Sequence, residues 1–404
     1  MAIEIINSGR ARVIVKVTDD SFVNLFSEGT APFLAAFLTD GGGTLASLIE
    51  ALGTTSERQL GFIRETSVEN WVARLQDPSF LQAGAGRTYA NPNALGPSAD
   101  WYAAQNYLLY GGDLVIAATA DKVKDLDLGC IFATDPGKVT ALNNALADRD
   151  NNCIAIYPAG GSGEGVGTAD IDTTLTSNEV DRHKFFVFGY KKHFDYRRNP
   201  EAVGDNDLIT TSCTPDVAGC FARTERDFNP FMSPAGFKRG RILDVLRLVH
   251  NPTPAQQDAL YDKGVNPVVS FPGEGTFLFG DRTKTSATST FSRVNVARLF
   301  VHLKKTIGRV AREILFDFND DLTRTNFTLQ CNTILRAIQA QRGIFDFKVV
   351  CDESNNPPAV VDANIFNADI FIKPAKSINF IQLTFTNKNT ADDITGGLSD
   401  AATE

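Results

Sequence analysis

Four histidines, at positions 183, 193, 250 and 302, are the side chains best suited to proton transfer or metal ligation near neutral pH. None has another histidine or a cysteine at helical ligand spacing, and no His-Glu-x-x-His stretch occurs, so no metal site is expected. Asp216 with Asp227, and Asp320 with Asp321, are paired acids without an identifiable partner group for acid–base work. Cys130, Cys153, Cys213, Cys220, Cys331 and Cys351 include no Cys-x-x-Cys pair. Six cysteines in 404 residues make no disulfide framework and are expected as reduced, mostly buried thiols. The stretch Ala159–Thr168, AGGSGEGVGT, is the one place where a nucleotide phosphate could be cradled. It lacks the Gly-Lys-Ser/Thr of a P-loop, and its glycines at 161, 163, 165 and 167 alternate instead of following Gly-x-Gly-x-x-Gly. Ser162 is no nucleophile elbow, because position 164 is Glu. The stretch reads as a hinge or surface turn. No catalytic residue and no cofactor are expected.

Two groupings of basic residues could bind an acidic partner. His183, Lys184, Lys191, Lys192, His193, Tyr196, Arg197 and Arg198 form an aromatic-laced patch able to contact phosphates, or a solvated strand–loop face. The net charge of −9 argues against general nucleic-acid binding and favours the second reading. The other grouping lies in Arg293–Leu315. There Val296, Leu299, Phe300, Leu303, Ile307, Val310 and Ile314 recur at helical steps and make an apolar stripe. Arg298, His302, Lys305, Arg309 and Arg312 recur at the same steps, roughly 200° around the helix. The pattern admits a core helix with a solvated basic face, or a basic stripe that docks on an acidic surface.

The elements that must position these groups follow from periodicity. Hydrophobic residues make up 43% and charged residues 22%, with 29 Phe, which suits a folded chain of two or three domains. No apolar run reaches the roughly 18 residues of a membrane span, and the first residues, MAIEIINSGRARVIV, suggest no secretory signal. Arg12–Thr18 reads as a strand with nothing nearby to pair with, so its partner is expected to be distant or in another chain. Helices are expected at Thr44–Leu52, Ser98–Tyr110, Pro136–Ala147 and Thr253–Lys263, the last with a Thr253/Gln256 capping box and Gly264 after it. They alternate with strands at Asp113–Thr119, Cys130–Ala133, Cys153–Tyr157, Lys184–Tyr190 and Val268–Phe271, which predicts an α/β sheet. A second long helix spans about Leu322–Arg342, and strands at Phe345–Cys351, Asp369–Lys373 and Ile378–Thr386 close the pattern.

From Pro215 onward several motifs occur in a recognisable order. PDVAGCFARTERDFNPFMSPAG (Pro215–Gly236), QQDALYDKGVNPVVSFPGEGTFLFGDRT (Gln256–Thr283) and SRVNVARLF (Ser292–Phe300) come first. FDFNDDLTRTNF (Phe316–Phe327), FDFKVVCDESNN (Phe345–Asn356) and ADIFIKPAKSINFIQLTFT (Ala368–Thr386) follow. Together they resemble the contractile tail sheath proteins of myovirus-type bacteriophages. Upstream, Ala99–Ala117 still resembles the family, whereas Asp19–Pro97 does not. The family's usual start carries a proline, which Asn7–Val17 lacks.

The resemblance implies a structural protein and not an enzyme, built as an α/β (α+β) fold. Its C-terminal sheath-type module would hold a mixed sheet and two amphipathic helices, beside a peripheral domain and extended terminal arms. The expected divisions are an N-terminal arm (1–20), a peripheral domain (21–110), an α/β core (111–270), a C-terminal sheath domain (271–386) and an acidic tail (387–404). Subunits of the family stack in six-fold rings around a tail tube, contract, and drive the tube through the host envelope. The implied partners are other copies, the tube protein, and baseplate and tail terminator proteins, with no direct nucleic acid and no membrane insertion. The implied location is the virion tail, assembled in the host cytoplasm. Val13, Val15 and Val17, with Ile381, Leu383 and Phe385, are expected to exchange strands between subunits. Arg298, Lys305, Arg309 and Arg312 would face the tube or a neighbour. Alternatives are the sheath of a phage-tail-like bacteriocin or secretion system and, more remotely, a nucleotide-binding α/β enzyme.

Overall fold

The computed structural model describes residues 15–19, 21–25, 34–38, 62–71, 98–117, 123, 126–147, 152–160, 181–194, 208–286 and 289–378. The first two strands, β1 (Val15–Asp19) and β2 (Ser21–Leu25), form an antiparallel hairpin with Val17 opposite Val23. This corrects the expectation that the N-terminal strand has no local partner. The partner strand begins almost at once in sequence, so the pair closes at little loop-closure cost.

The elements that follow are β3 (Leu34–Leu38), β4 (Phe62–Glu65), α1 (Ser98–Leu108), β5 (Asp113–Ala117), β6 (Cys130–Phe132), α2 (Val139–Ala147), β7 (Ile154–Pro158) and β8 (Lys184–Phe188). Then come β9 (Tyr190–Phe194), β10 (Leu208–Ser212), α3 (Thr214–Asp227), β11 (Arg247–Leu248), α4 (Pro254–Asp262), β12 (Val265–Phe271) and β13 (Gly275–Leu278). The remainder is α5 (Val294–Glu313), α6 (Asp321–Ala340), β14 (Ile344–Val350), α7 (Pro358–Asp362) and β15 (Asp369–Pro374).

Eight strands make the central sheet in the order β13-β12-β8-β7-β6-β3-β5-β4. The six inner strands run parallel, and an antiparallel strand closes each side. The run KFFVF of β8 explains how such a strand is stabilised. Successive side chains point to opposite faces. Phe185 and Val187 therefore enter a core with α1, α3 and the first turns of α5. Phe186 and Phe188 enter the core on the other face, with α2 and α4. The α4 start carries the expected capping box between Thr253 and Gln256.

The expected boundary at 110/111 is corrected by this sheet. β3 and β4 come from the segment assigned to a peripheral domain, yet β3 lies between β5 and β6 inside the sheet and β4 forms its edge. Leu34–Leu38 is buried throughout, so it is core sequence. β13 belongs to the same sheet, which moves the start of the C-terminal module past 271. The helix expected at Thr44–Leu52 and the strand at Ile378–Thr386 lie, apart from Ile378, outside the described residues.

The C-terminal module is a smaller unit. β14 and β15 pair antiparallel and pack one face onto α6 and α5. Its core holds Leu299, Leu303, Ile307 and Val310 from α5, Phe327, Cys331, Leu335 and Ile338 from α6, and Phe231 from the motif NPFMSPAG. Helix α5 thus belongs to both units. Val294, Ala297 and Val301 face the central sheet, while Leu299, Leu303 and Ile307 face the module.

Candidate assembly surfaces

The basic stripe of α5 divides in two. Arg298 is 4% exposed and donates to Glu225 of α3 at 2.8 Å, with its guanidinium 4.9 Å from the Phe221 ring centre. Burial draws the guanidinium pKa down, and Glu225 opposes that shift. Lys305 donates to the Leu128 carbonyl at 2.8 Å and pairs with Asp127 at 2.5 Å. Both cations therefore face their own chain, which corrects the expectation that they meet the tube or a neighbour. The physical reason is the second apolar flank of α5: Val294, Ala297 and Val301 pull this side against the body, and the cations find α3 and the loop before β6. Arg309 and Arg312, in the last turns, remain half-exposed.

The segment joining α5 to α6 exposes what the sequence reading passed over. Phe316 and Phe318 are 90% and 87% exposed, and Phe316 is held at φ +74°, a backbone conformation unfavourable to a bulky L-residue. Behind them the start of α6 is firmly built. Asp320 accepts from the Thr323 amide at 2.8 Å as N-cap. Arg324 folds inward onto Asn319 at 2.9 Å and Asp321 at 3.2 Å. With Arg324 turned in, the exposed residues from Leu322 to Thr333 are Leu322, Thr325, Asn326, Leu329, Gln330 and Thr333, and none is charged. This uncharged stretch of the exposed helix face is bounded by exposed Asp321 and Arg336, and the two open phenylalanines beside it flank the exposed Asp317. The surface is thus apolar at its centre with charges at its border, the composition of an interface patch. The signal was present in the sequence: LTRTNFTLQCNTIL contains a single charge.

The β14–β15 ribbon is the third surface. Phe347, Val349, Ile370 and Ile372 pack on the module core, while Phe345 and Phe371 are exposed. Neither outer edge of this ribbon pairs with another described strand. Two-stranded ribbons are marginal alone, and open edges are templates for further pairing.

The remaining predicted residues fall as follows. Val15 and Val17 lie in β1; Val13, Ile381, Leu383 and Phe385 lie outside the described residues. The patch read as solvated is partly internal: Lys184, Lys191, His183 and His193 are buried, and Tyr196, Arg197 and Arg198 are not described. His183 sits 2.9 Å from Asp181, and burial pushes its pKa down. All six cysteines are buried free thiols, as expected. Of the paired acids, Asp216 is buried against Lys191, whereas Asp227 is at the surface with Arg226. Glycines 161–168 lie outside the described residues.

An α/β body with a two-stranded ribbon that has no further partner among the described strands, and with exposed phenylalanines beside an uncharged stretch of helix, has the features of a self-associating structural subunit. Comparison with known proteins makes the class specific. Residues 286–388 match the family model of the phage tail sheath C-terminal domain. The chain is 50% identical to the tail sheath protein of Vibrio phage KVP40 over 277 residues, which is 68% of this chain and 39% of that protein. It is 35% identical to the tail sheath protein of Enterobacteria phage T4 over 293 residues, 71% of this chain and 42% of that protein. The chain thus spans about two fifths of the length of these curated relatives. Its fold is similar to the sheath of an extracellular contractile injection system in the contracted state (TM-score 0.69, 14% identity, 95% of this chain and 98% of that one). It is also similar to the contracted helical sheath of the anti-feeding prophage (TM-score 0.63, 16% identity, 95% and 100%). The chain is thus similar to myovirus tail sheath proteins, and its last described elements, from α5 to β15, lie in the stretch that matches the phage tail sheath C-terminal domain.

Proposed function

We propose that the chain is a structural subunit of a contractile phage tail sheath. It polymerises in stacked six-fold rings around the tail tube and contracts to drive the tube through the host envelope. The observation that carries this reading is the β14–β15 ribbon, which lies within the matched sheath domain and whose two edges pair with no other described strand, so that strands of other copies could add to them. Strands from the two ends of neighbouring chains, around Val13–Val17 and Ile381–Phe385, would fill those edges. The β1–β2 hairpin keeps an open edge of its own among the described strands, so a local partner is compatible with exchange. Deleting Met1–Asp20, or everything after Ser377, is expected to leave a folded monomer that no longer polymerises. Electron micrographs of normal sheaths from both truncations would overturn strand exchange.

The tube, or the next subunit, would be met by the exposed Leu322–Thr333 stretch of α6 together with Arg309 and Arg312. Leu329→Asp is expected to leave the unfolding midpoint unchanged and to abolish co-sedimentation of sheath with tube. Reversing Arg309 and Arg312 to Glu should loosen that association by a smaller amount, since exposed pairs contribute only about 0–1 kcal/mol each. Sheaths that keep their tubes in both variants would assign these residues elsewhere. Baseplate and terminator proteins would cap the array, which would stand in the virion tail after assembly in the host cytoplasm. Identity to phage sheaths well above that to the injection-system sheath favours a phage tail over a bacteriocin or secretion system.

A further inference from the structure

The chain leaves β15 and returns to the body over residues 375–378, and it is held there at two points. Ala375 donates its amide to the Gly343 carbonyl at 3.1 Å and accepts from the Asn295 side chain at 2.9 Å. Two residues on, the Ser377 hydroxyl donates to Oδ2 of Asp281. Asp281 is 5% exposed and collects groups from distant parts of the sequence. Arg293, the N-cap residue of α5, donates to its Oδ1 at 3.1 Å, and the Tyr261 hydroxyl of α4 lies 3.3 Å from the same oxygen. Ser233, from the motif SPAG, lies 3.4 Å from Oδ2. The Asp281 carbonyl also accepts from the Val294 amide at 2.8 Å at the start of α5. Asp281 follows β13, so it moves with the central sheet. Residue 378, 82% exposed, therefore departs from a point referenced to the body as well as to the ribbon.

We infer that the Asp281–Ser377 hydrogen bond is a latch that positions the root of the C-terminal segment, and that it sets the spacing between subunits in the assembled array. The inference rests on the strand-exchange reading above. An exchanged strand starting at residue 379 carries the position of its own body to the neighbour only if its root is fixed. A carboxylate acceptor suits the task, because its bond to a hydroxyl is stronger than a neutral one and its other oxygen is already oriented by Arg293. Asp281 and Ser377 act here as positioning residues.

The test compares Ser377→Ala, Ser377→Thr and the truncation after Ser377. Ser377→Ala removes this donor and leaves Asp281 with Arg293, Tyr261 and Ser233. Amide exchange at residues 375–378 of the full chain is expected to quicken on the order of tenfold. Sheaths of this variant should show an altered or irregular axial repeat in micrographs, with an unchanged unfolding midpoint. Ser377→Thr, which keeps the hydroxyl, should restore both. Sheaths of normal repeat and unchanged exchange in Ser377→Ala would overturn the latch. If the truncated chain then still fails to polymerise, strand exchange stands and only the latch falls. If the truncated chain polymerises normally, the reading beneath it falls as well.

Discussion

Replacing Lys191 with Met is expected to destabilise the subunit by about 3 kcal/mol near pH 8 and by far less near pH 5.5. Lys191 and Asp216 are both fully buried, 2.9 Å apart. The ammonium also donates to the Leu243 carbonyl at 2.9 Å, and Asp216 accepts from the Tyr110 hydroxyl at 3.1 Å. Burial pushes the Asp216 carboxyl up to about 6; Lys191 and Tyr110 pull it down, and the nearby Asp244 pushes it up. A folded-state value above the ordinary 3.8 means that this group's contribution is fully present below that value and is lost as pH rises through about 6. In the wild type the loss then levels off, because Lys191 stabilises the carboxylate. Without Lys191 the carboxyl value rises further, and the loss continues by about 1.4 kcal/mol for each pH unit. The gap between the two proteins should therefore open above pH 6. Denaturant unfolding at pH 5.5 and pH 8 measures it directly. The double substitution Lys191→Met with Asp216→Asn should recover most of the deficit, since a buried pair exchanged for uncharged groups is often neutral or stabilising. A gap that does not change with pH would refute this account of the pair.

Gly219→Ala is expected to cost at least about 1–3 kcal/mol, and Gly219→Val to prevent accumulation of folded protein. Gly219 lies on α3 where the helix crosses the end of α1. A Cβ there would stand 2.3 Å from Cδ2 and 2.5 Å from Cγ of Tyr110, and these ring atoms cannot swing aside. The Tyr110 hydroxyl is tied to Asp216, accepts from the Leu243 amide at 2.8 Å, and the ring lies beneath the Arg223 guanidinium. The helices must then separate, and the core under Val217, Phe221 and Tyr107 opens with them. Gly273→Ala is the control. Its Cβ meets nothing within 4 Å, so only the strain of φ +79° is added, about 1 kcal/mol. Equal loss of thermal stability in the two variants would show that contact with Tyr110 is not what makes position 219 sensitive. Because Lys191 shares the Asp216 carboxylate with Tyr110, the ring that Gly219 packs against, the effects of the two substitutions should not be additive.

The Ala218-Gly219 step was legible as part of a family motif before its cause was visible, and the cause is a ring over 100 residues earlier in the chain. Other features were legible outright. The two long helices, the capping box of α4 and the alternation of strand with helix follow from local periodicity and local capping chemistry, which act within a few residues. Strand β3 was missed because LAAFL is a short apolar run, and such a run alone does not distinguish strand from helix. The hairpin partner of β1 was missed because SFVNL gives only a weak alternation.

The candidate surfaces show where local reading stops. Periodicity correctly placed Arg298, Lys305, Arg309 and Arg312 on one side of a helix. It could not show that Glu225, 73 residues away, and the Leu128 carbonyl, 177 residues away, would be waiting for the first two. It likewise marked a helix at about Leu322–Arg342, found at Asp321–Ala340, but not that Arg324 turns inward and leaves the exposed stretch between Asp321 and Arg336 uncharged. The sequence by itself determined which elements form and which stripe of each is apolar, because hydrophobic spacing and end-capping are properties of neighbouring residues. Only the tertiary structure decided which polar groups meet their own chain and which remain open to another. That choice depends on where distant elements come to rest, and a buried charge must be matched by whatever those elements bring.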